Sequence, residues 1–348
     1  MKTFLKQVVG IDVAKGELVV SLGRIDEDLS IEIFAHRIFL NRDSGFSLLK
    51  KWAEKLFQPE TTTLYVMEAT GVYHEALAYW LDDNRADVSI VLPNKISNFF
   101  KTLDINTITD RTASEAIARF GLERKLLPWQ RPKEIFSELK QLTRERNQLI
   151  DERAVLKNQL HAEQARAFPN MQSVKRLKKR IQLINQQELE IRSEIAATAK
   201  KDPEVAVKID RIGTIPGVGN LTAVTILAET NGFELIRNKR QLVSYCGLDV
   251  KNKDSGISVK GKPKISKKGN RHIRKALHMP ALSAIRHNEK YSGLFIRLVS
   301  KHGIKMKAVV AAQRKLLELI YVIAKNDCVY DKEYERKKAE AGVPTLAI

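Results

Sequence analysis

Gln7–Val13 reads QVVGIDV. Val8, Val9, Ile11 and Val13 make an apolar run of the kind a strand carries when it is buried on both faces. Asp12 sets a carboxylate inside that run. Two further strand patterns follow directly, ELVVSLGRI at Glu17–Ile25 and SIEIFAHRIFL at Ser30–Leu40, with Gly23 and the acids Asp26–Asp28 suited to a hairpin turn. Asp43–Leu56 is an amphipathic helix with Phe46, Leu49, Trp52, Ala53 and Leu56 on one face. TTTLYVME at Thr61–Glu68 is a fourth strand that ends on an acid, and a helix over Tyr73–Leu81 follows Gly71. VSIVL at Val88–Leu92 is a fifth strand closed by Pro93-Asn94, and helical patterns continue over Lys95–Leu103 and Thr112–Leu122.

Three strands, helix, strand, helix, strand, helix is the order of an α/β domain with a mixed sheet, the plan of the ribonuclease H superfamily. In that plan Asp12 lies in the centre of the first strand. Glu68 lies at the end of the strand beside it, and Asp110 opens the helix that packs across the same edge. A carboxylate in a buried strand costs several kcal/mol unless it is neutralised. Mg²⁺ does this with carboxylates, waters and substrate phosphate, and two such ions clamp the attacking and leaving oxygens of a phosphoryl transfer. The same residues also admit a plainer account, with Asp12 bonded to backbone and Glu68 a helix-entry residue.

Lys133–Phe168 reads as one long charged helix, with Leu139, Leu142, Leu149, Leu156 and Leu160 in a heptad seam and Arg146 and Arg153 in core positions. Pro169-Asn170 turns the chain. Val174, Leu177, Ile181, Ile184, Ile191 and Ile195 continue a seam in a second helix, broken by Glu188 and ended by Asp202-Pro203. The two helices are expected to run antiparallel as a coiled-coil arm. The charged seam positions lean the reading toward self-association. IGTIPGVGNLTAVTILAE at Ile212–Glu229 has the form helix, hairpin, helix. Gly217 and Gly219 would there expose N–H groups to a DNA phosphate without reading sequence; a tight turn between packed helices fits as well. Phe233–Tyr245 reads as a helix, His272–Ile285 as a helix interrupted by Pro280, Lys305–Ala324 as a long helix, and the polar tail from Asn326 as frayed.

Between them lies Lys251–Lys275, KNKDSGISVKGKPKISKKGNRHIRK. Lys260, Lys262, Lys264, Lys267, Lys268, Arg271 and Arg274 crowd it, and Gly256, Gly261, Pro263 and Gly269 break it into turns, so most of it is expected to be loop. Cations and close-approaching backbone N–H groups make a phosphate cradle. Ser255 and Ser258 sit inside it, as a nucleophile toward a phosphodiester or as turn formers in a solvated basic loop.

The whole chain supports a nucleic-acid partner. It has 348 residues, 43% of them hydrophobic, with a formal net charge of +19 and a pI near 9.8. No apolar run approaches the roughly 20 residues of a membrane span. The N-terminus lacks a signal-peptide core, so the expectation is a cytoplasmic protein with no membrane partner. The two cysteines, Cys246 and Cys328, form no C-x-x-C pair, and the seven histidines show no metal-ligand spacing. Cys246 reads as a small core residue.

GIDVAK with Asp12, MEATG with Glu68, TDRTASEA with Asp110, IPGVG at Ile215–Gly219 and SGISVKGKPKISKKGNRHIRKALHMPA from Ser255 resemble the DEDD-type transposases of insertion sequences, relatives of the Piv-type DNA invertases. The match runs in order from about Val8 to about Lys325. The resemblance implies a ribonuclease H-like (Holliday-resolvase-like) catalytic domain over residues 1–125 and a coiled-coil helical hairpin over 126–204. It further implies a mainly helical C-terminal transposase domain over 205–326 and a polar tail over 327–348. Also implied are Mg²⁺ at Asp12, Glu68 and Asp110, a serine nucleophile falling on Ser255, and a structured noncoding guide RNA as partner beside the DNA. One departure stands out. The family has a fourth acid three residues after Asp110, where this chain has Ala113, followed by Ser114 and Glu115.

The expected function is a transposase or recombinase of an insertion sequence, a homo-oligomer (dimer or tetramer) that cleaves and rejoins DNA. An unactivated serine hydroxyl is a poor nucleophile, so the acidic cluster would have to assist it. A phosphoserine link conserves bond energy, in keeping with the lack of a P-loop. Two alternatives remain open to these residues: a metal-dependent nuclease or Holliday-junction resolvase with a merely structural Ser255, or a decayed, non-catalytic DNA-binding transposase.

Overall fold

The computed structural model describes residues 3–69, 71–103, 107, 109–234, 236–251, 254–255, 259–260 and 264–334. The chain divides into two compact units, Met1–Arg131 and Pro132–Ile348.

The first unit is a five-stranded sheet with helices on both faces. Strands β1 (Phe4–Val13), β2 (Glu17–Asp26) and β3 (Ile31–Leu40) form an antiparallel meander. Strands β4 (Thr63–Glu68) and β5 (Asp87–Val91) add in parallel on the other side of β1, giving the order β3-β2-β1-β4-β5. This gives the mixed sheet and the order of elements that the sequence pattern predicts. Gly23 lies inside β2 at a register irregularity opposite β3, not in the turn.

Strand periodicity divides β1 between two cores. Val9, Ile11 and Val13 face helices α1 (Asp43–Leu56) and α2 (Glu75–Asp83), through Phe46, Leu49, Leu77 and Leu81. Val8 and its neighbour Val66 face α3 (Pro93–Phe100) and α4 (Asp110–Glu123), through Ile96, Phe99, Ile117 and Ala118. Gly10 also lies on this second face and lets α4 come close: a Cβ there would run into the Ser114 carbonyl and the Ala118 amide. At the far end Lys6 donates to the carbonyls of Gly121 and Arg124, placing a cation where the α4 dipole is negative. The unit extends to Arg131: the Trp129 amide donates to Val88 O at 2.7 Å, and Arg131 pairs with Asp83 at 2.5 Å.

In the second unit, α5 (Glu134–Gln164) and α6 (Met171–Lys200) are antiparallel, as the ion pairs Lys201–Glu138 and Arg146–Glu188, each at 2.8 Å, require. Glu188, the break in one seam, receives both Arg146 and Arg153, the charged positions of the other. The charges therefore satisfy each other within the arm, and the argument from them to self-association does not hold. The arm's root, Phe136, Leu139 and Leu142, shares one core with the helices that follow.

Those helices are α7 (Pro203–Gly213), α8 (Asn220–Glu229), α9 (Lys239–Tyr245), α10 (Arg271–Ala276), α11 (His278–His287), α12 (Glu289–His302) and α13 (Lys305–Lys325). The helix expected over Phe233–Tyr245 is shorter, because Asn238 caps it by accepting from Gln241 N at 2.9 Å. The interruption attributed to Pro280 falls at Leu277. Pro280 takes the third position of α11, where its missing N–H has no intrahelical partner to lose. Helix α12 was not anticipated; Asn288 starts it and left-handed Gly303 (φ 68°) ends it, but Tyr291 is its single buried residue. The start of the tail is anchored, not frayed: Asp327 pairs with Arg211 at 2.5 Å and the Tyr330 amide donates to Thr214 Oγ1 at 2.9 Å.

Candidate functional site

On the α4 side of the sheet, β1 presents Lys6, Val8, Gly10 and Asp12 in succession. Helix α4 runs over them from its C-terminus to its N-terminus, with Gly121 over Val8 and Ser114 over Gly10. One turn before Ser114, Asp110 therefore comes over Asp12. Ile11 aligns with Met67 in the parallel β1–β4 ladder. One residue further along both strands, Asp12 and Glu68 stand at the same level and face away from the Ile11/Met67 core. The three acids are thus brought to one face and one end of the sheet. The electrostatics record the approach of two of them: burial, then the charge of Asp110, push the Asp12 carboxyl above its usual range against the hydrogen bond from the Val13 N–H.

The acids do not form a compact metal-binding triad. Among the described residues, no group of three or more His, Cys, Asp or Glu side chains is gathered to hold a metal ion. Asp110 is on the exposed first turn of α4 and Glu68 is the last residue of β4, and like charges repel. The donor set nonetheless suits a hard divalent cation, which takes carboxylate oxygen and would relieve the penalty carried by Asp12. Glu115, which follows the position of the fourth acid, pairs with Arg111 at 2.9 Å. Ser114 is buried and engaged with Ser21 Oγ at 2.7 Å and Arg111 O at 2.8 Å. Asn41, which sequence reasoning missed, ties the residue after β1 to the turn before α2 by donating to Ala14 O at 2.8 Å and Tyr73 O at 3.1 Å.

In the second unit the helix–hairpin–helix expectation corresponds to α7, a hairpin and α8. Ile215 and Val218 are buried while Gly217 and Gly219 are exposed. Gly217 has φ +85°, and a Cβ there would meet Ser283 of α11. Gly219 caps α8 without a side chain, leaving that helix's first amides to other acceptors.

Short stretches of the basic segment pair as strands. Strand β6 (Val250–Lys251) pairs with β9 (Lys264–Ile265), and β7 (Asp254–Ser255) pairs with β8 (Val259–Lys260), with Ser255 opposite Val259. The described strands thus form a stem whose outgoing side carries Ser255. Lys260 lies on the returning side; Ser258 and Lys262 lie outside the described residues. Lys264, Lys267, Lys268 and Arg271 are exposed. Arg274, read as a nucleic-acid contact, donates at the stem's foot to Cys246 O at 2.8 Å and Gly269 O at 3.1 Å. Cys246 is a core residue as expected, its thiol pushed up to about 12 by burial.

The foot holds a buried carboxylate that the sequence did not disclose. Glu229, the last residue of α8, accepts from Arg144 of α5 through two bonds of 2.7 and 2.9 Å, and from Asn270 Nδ2 at 2.6 Å. Burial disfavours its charge, but the bonds from Arg144 and Asn270 outweigh burial and hold the carboxyl below its usual range. An acid ending an apolar helix was the available signal; its partners are far away in the chain.

Comparison with known proteins bears on the family of the chain. Residues 9–169 match the DEDD transposase profile of the IS110 type, described as "Transposase", and residues 209–295 match "Transposase IS116/IS110/IS902 family". The pilin gene-inverting proteins of Moraxella lacunata and Moraxella bovis are each 28% identical over 333 residues, covering 94% of this chain and 98% of theirs. The transposase for insertion sequence element IS1111A of Coxiella burnetii is 29% identical over 150 residues, 41% of this chain and 39% of that protein. A solved Thermus thermophilus RuvC in complex with a Holliday junction substrate is 10% identical, with a TM-score of 0.27, covering 35% of this chain and 99% of that one. With both halves of the chain matched by transposase profiles and a relative aligned along nearly its full length, the chain belongs to the IS110 family of transposases and is a DNA transposase/recombinase.

Proposed function

We propose that this transposase cuts and rejoins DNA through a covalent link on Ser255, assisted by Mg²⁺ held by Asp12, Glu68 and Asp110. The observation that carries the reading is the convergence of Asp12 and Asp110 on one sheet face, where burial and then the charge of Asp110 raise the cost of ionising Asp12. Bound there, Mg²⁺ supplies charge neutralisation and Lewis acidity toward a phosphate oxygen. The chain's own groups do the rest. Exposed Lys264, Lys267, Lys268 and Arg271 bind phosphates, with Gly217 and Gly219 as a second contact on the hairpin. The Ser255 hydroxyl attacks phosphorus, the bond from phosphorus to the sugar oxygen breaks, and the serine proton passes through solvent to that departing oxygen. A new sugar hydroxyl then attacks the phosphoserine, forms the rejoined phosphodiester and returns the serine.

The relatives named as pilin gene-inverting proteins favour strand exchange over simple cutting, because inversion requires broken ends to be rejoined. A net charge of +19 leaves room for a structured noncoding guide RNA beside the DNA. Several breaks held at once call for a homo-oligomer, a dimer or tetramer, working in the cytoplasm. The test uses a nicked suicide duplex carrying the genomic sequence that flanks the gene, incubated with Mg²⁺ and RNA transcribed from those flanks. The wild-type chain should give a protein–DNA adduct mapped by mass spectrometry to Ser255, and Ser255→Ala should give none while binding DNA nearly as well. An adduct on Ser258, or exchange by Ser255→Ala, would overturn the assignment.

Ala113 favours a second reading, a decayed transposase that binds DNA without cutting it. Metal-dependent cleavage of the same duplex by the wild-type chain would exclude it.

A further inference from the structure

We propose that Glu229 is a positioning residue that ties the arm helix α5 to the foot of the serine stem and thereby sets where Ser255 is presented. The proposal rests on the reading of Ser255 as nucleophile. Its basis is the connectivity of one buried carboxylate. The side chain of Glu229 is 1% exposed. On one side it holds the guanidinium of Arg144 at two points. On the other it accepts from Asn270 Nδ2 at 2.6 Å, and its own backbone carbonyl accepts from the Tyr245 hydroxyl at 2.7 Å.

Asn270 and Tyr245 are the two ends of the stem. The Asn270 amide donates to Tyr245 O at 2.8 Å, closing the foot. From there the strands run outward through Ser266 N to Asp249 O at 2.8 Å and the Val250–Ile265 pairing, with Ser255 beyond on the outgoing side. Asn270 does a second task at once, since its Oδ1 accepts from His272 N at 2.9 Å and Ile273 N at 3.1 Å and so caps α10. Each described pairing of the stem is only two residues long, so its direction depends on where it is fastened. A charged, bidentate pair whose carboxylate is buried at that point fixes direction more tightly than a neutral contact. Catalysis by a held nucleophile is sensitive to misplacement on the ångström scale.

The test separates fastening from folding and from nucleophile identity. Glu229→Gln removes the charge that Arg144 and Asn270 grip. Asn270→Ser keeps an oxygen for the α10 cap but drops the amide donor, so it serves where Glu229→Gln folds poorly. Hydrogen exchange on the full-length chain, without nucleic acid, should show faster exchange across residues 245–251 and 264–270 in both variants, with α13 unchanged. On the suicide duplex with flank-derived RNA and Mg²⁺, single-turnover adduct formation should slow by about 10- to 100-fold. The dissociation constant for the same duplex should stay within about twofold, because charge-dominated phosphate contacts are untouched. Arg144→Lys, which keeps the charge and one donor, should recover part of the rate.

Unchanged exchange in the stem, or an adduct rate unchanged in Asn270→Ser, would overturn the proposal. So would rates that fall only in step with loss of DNA binding. Ser255→Ala run in parallel keeps the two readings apart. If it still forms an adduct, the nucleophile is wrong whatever Glu229 does. If it forms none while the Glu229 and Asn270 variants react at full rate, the positioning role alone fails.

Discussion

Asp12 in the first unit and Glu229 in the second are both carboxylates set into an interior, and their acidities move in opposite directions. Burial opposes charge at each. At Asp12 the next influence is another acid, Asp110, and the carboxyl is pushed up. At Glu229 it is the hydrogen bond from Arg144, followed by that from Asn270, and the carboxyl is pulled down. A buried carboxylate supplied with its own cation is a fastening. One that faces a second carboxylate is costly to the apoprotein, and the cost is recovered when something cationic arrives. A structural acid and a metal-binding one are expected to differ in this way.

The largest effect should come from removing the costly acid. Asp12→Asn should lower recombination by about 10²–10³-fold, the scale of losing one charge-handling group in an active site. It should also make the chelator-treated protein more stable at pH 7. The sign follows from linkage: the folded pKa of Asp12 is raised, so the folded state holds the proton more tightly, and ionised Asp12 costs stability at pH above that pKa. Thermal unfolding in chelator, beside the recombination assay, checks both. A variant that loses stability as well as activity would make Asp12 a structural acid and erase the contrast.

Glu229→Gln should act in the other direction. Breaking a buried pair costs about 3–5 kcal/mol, and because Arg144 is 42% exposed we expect about 2–3 kcal/mol. Here the folded pKa is depressed, so the contribution is fully present above the unfolded value of about 4.3 and is lost as pH falls through the folded one. Urea unfolding across acid pH should show a decline in the wild type that is smaller in Glu229→Gln. Equal declines would mean that Arg144 and Asn270 do not hold the charge.

The contrast was only half legible in the sequence. Asp12 could be read because its signal is local: an acid inside QVVGIDV breaks an apolar strand, and the strand and helix order around it is enough to bring Glu68 and Asp110 to the same edge. Glu229 ends an equally apolar stretch, NLTAVTILAE, but what neutralises it lies at Arg144 and Asn270, and no periodicity links positions that far apart. The arm fails in the same way. Arg146, Arg153 and Glu188 were each visible as seam defects, and nothing local said that they meet. Helix α12 was missed because its only buried residue is Tyr291, so its apolar face is faint although Asn288 and Gly303 mark both ends.

The approach of α4 to Asp12 can be altered without changing any charge. Gly10→Ala puts a methyl group against the Ser114 carbonyl and the Ala118 amide, backbone that cannot rotate away. Overpacking of this kind costs about 1–3 kcal/mol. It should also move Asp110 off Asp12, so the Asp12 carboxyl, followed by NMR, should titrate lower than in the wild type. A stability loss with unchanged titration would show that Asp110 does not reach Asp12 through this contact.

The smallest expected effect is also the most pointed, because it adds an acid to the side that already has too many. Ala113 is half-buried on α4, three residues after Asp110 and therefore on the adjoining face. Both neighbours are engaged: Glu115 is paired with Arg111 at 2.9 Å, and Ser114 is bonded to Ser21 at 2.7 Å. In Ala113→Asp a further carboxylate joins Asp12 and Asp110. Without metal, like-charge repulsion should lower stability by about 0.5 kcal/mol, the scale of such pairs on a helix. With metal, the added oxygen ligand should tighten binding of Mn²⁺ or Mg²⁺ by about tenfold, or 1.4 kcal/mol, since affinity in such sites follows the number of charged ligands. Calorimetric titration of the full-length chain with each ion measures this directly, with Asp12→Asn as the control that should move affinity the opposite way. If Ala113→Asp loses stability and gains no affinity, the residue lies beside the acids but outside the cation's reach, and the site works with three carboxylates as it stands.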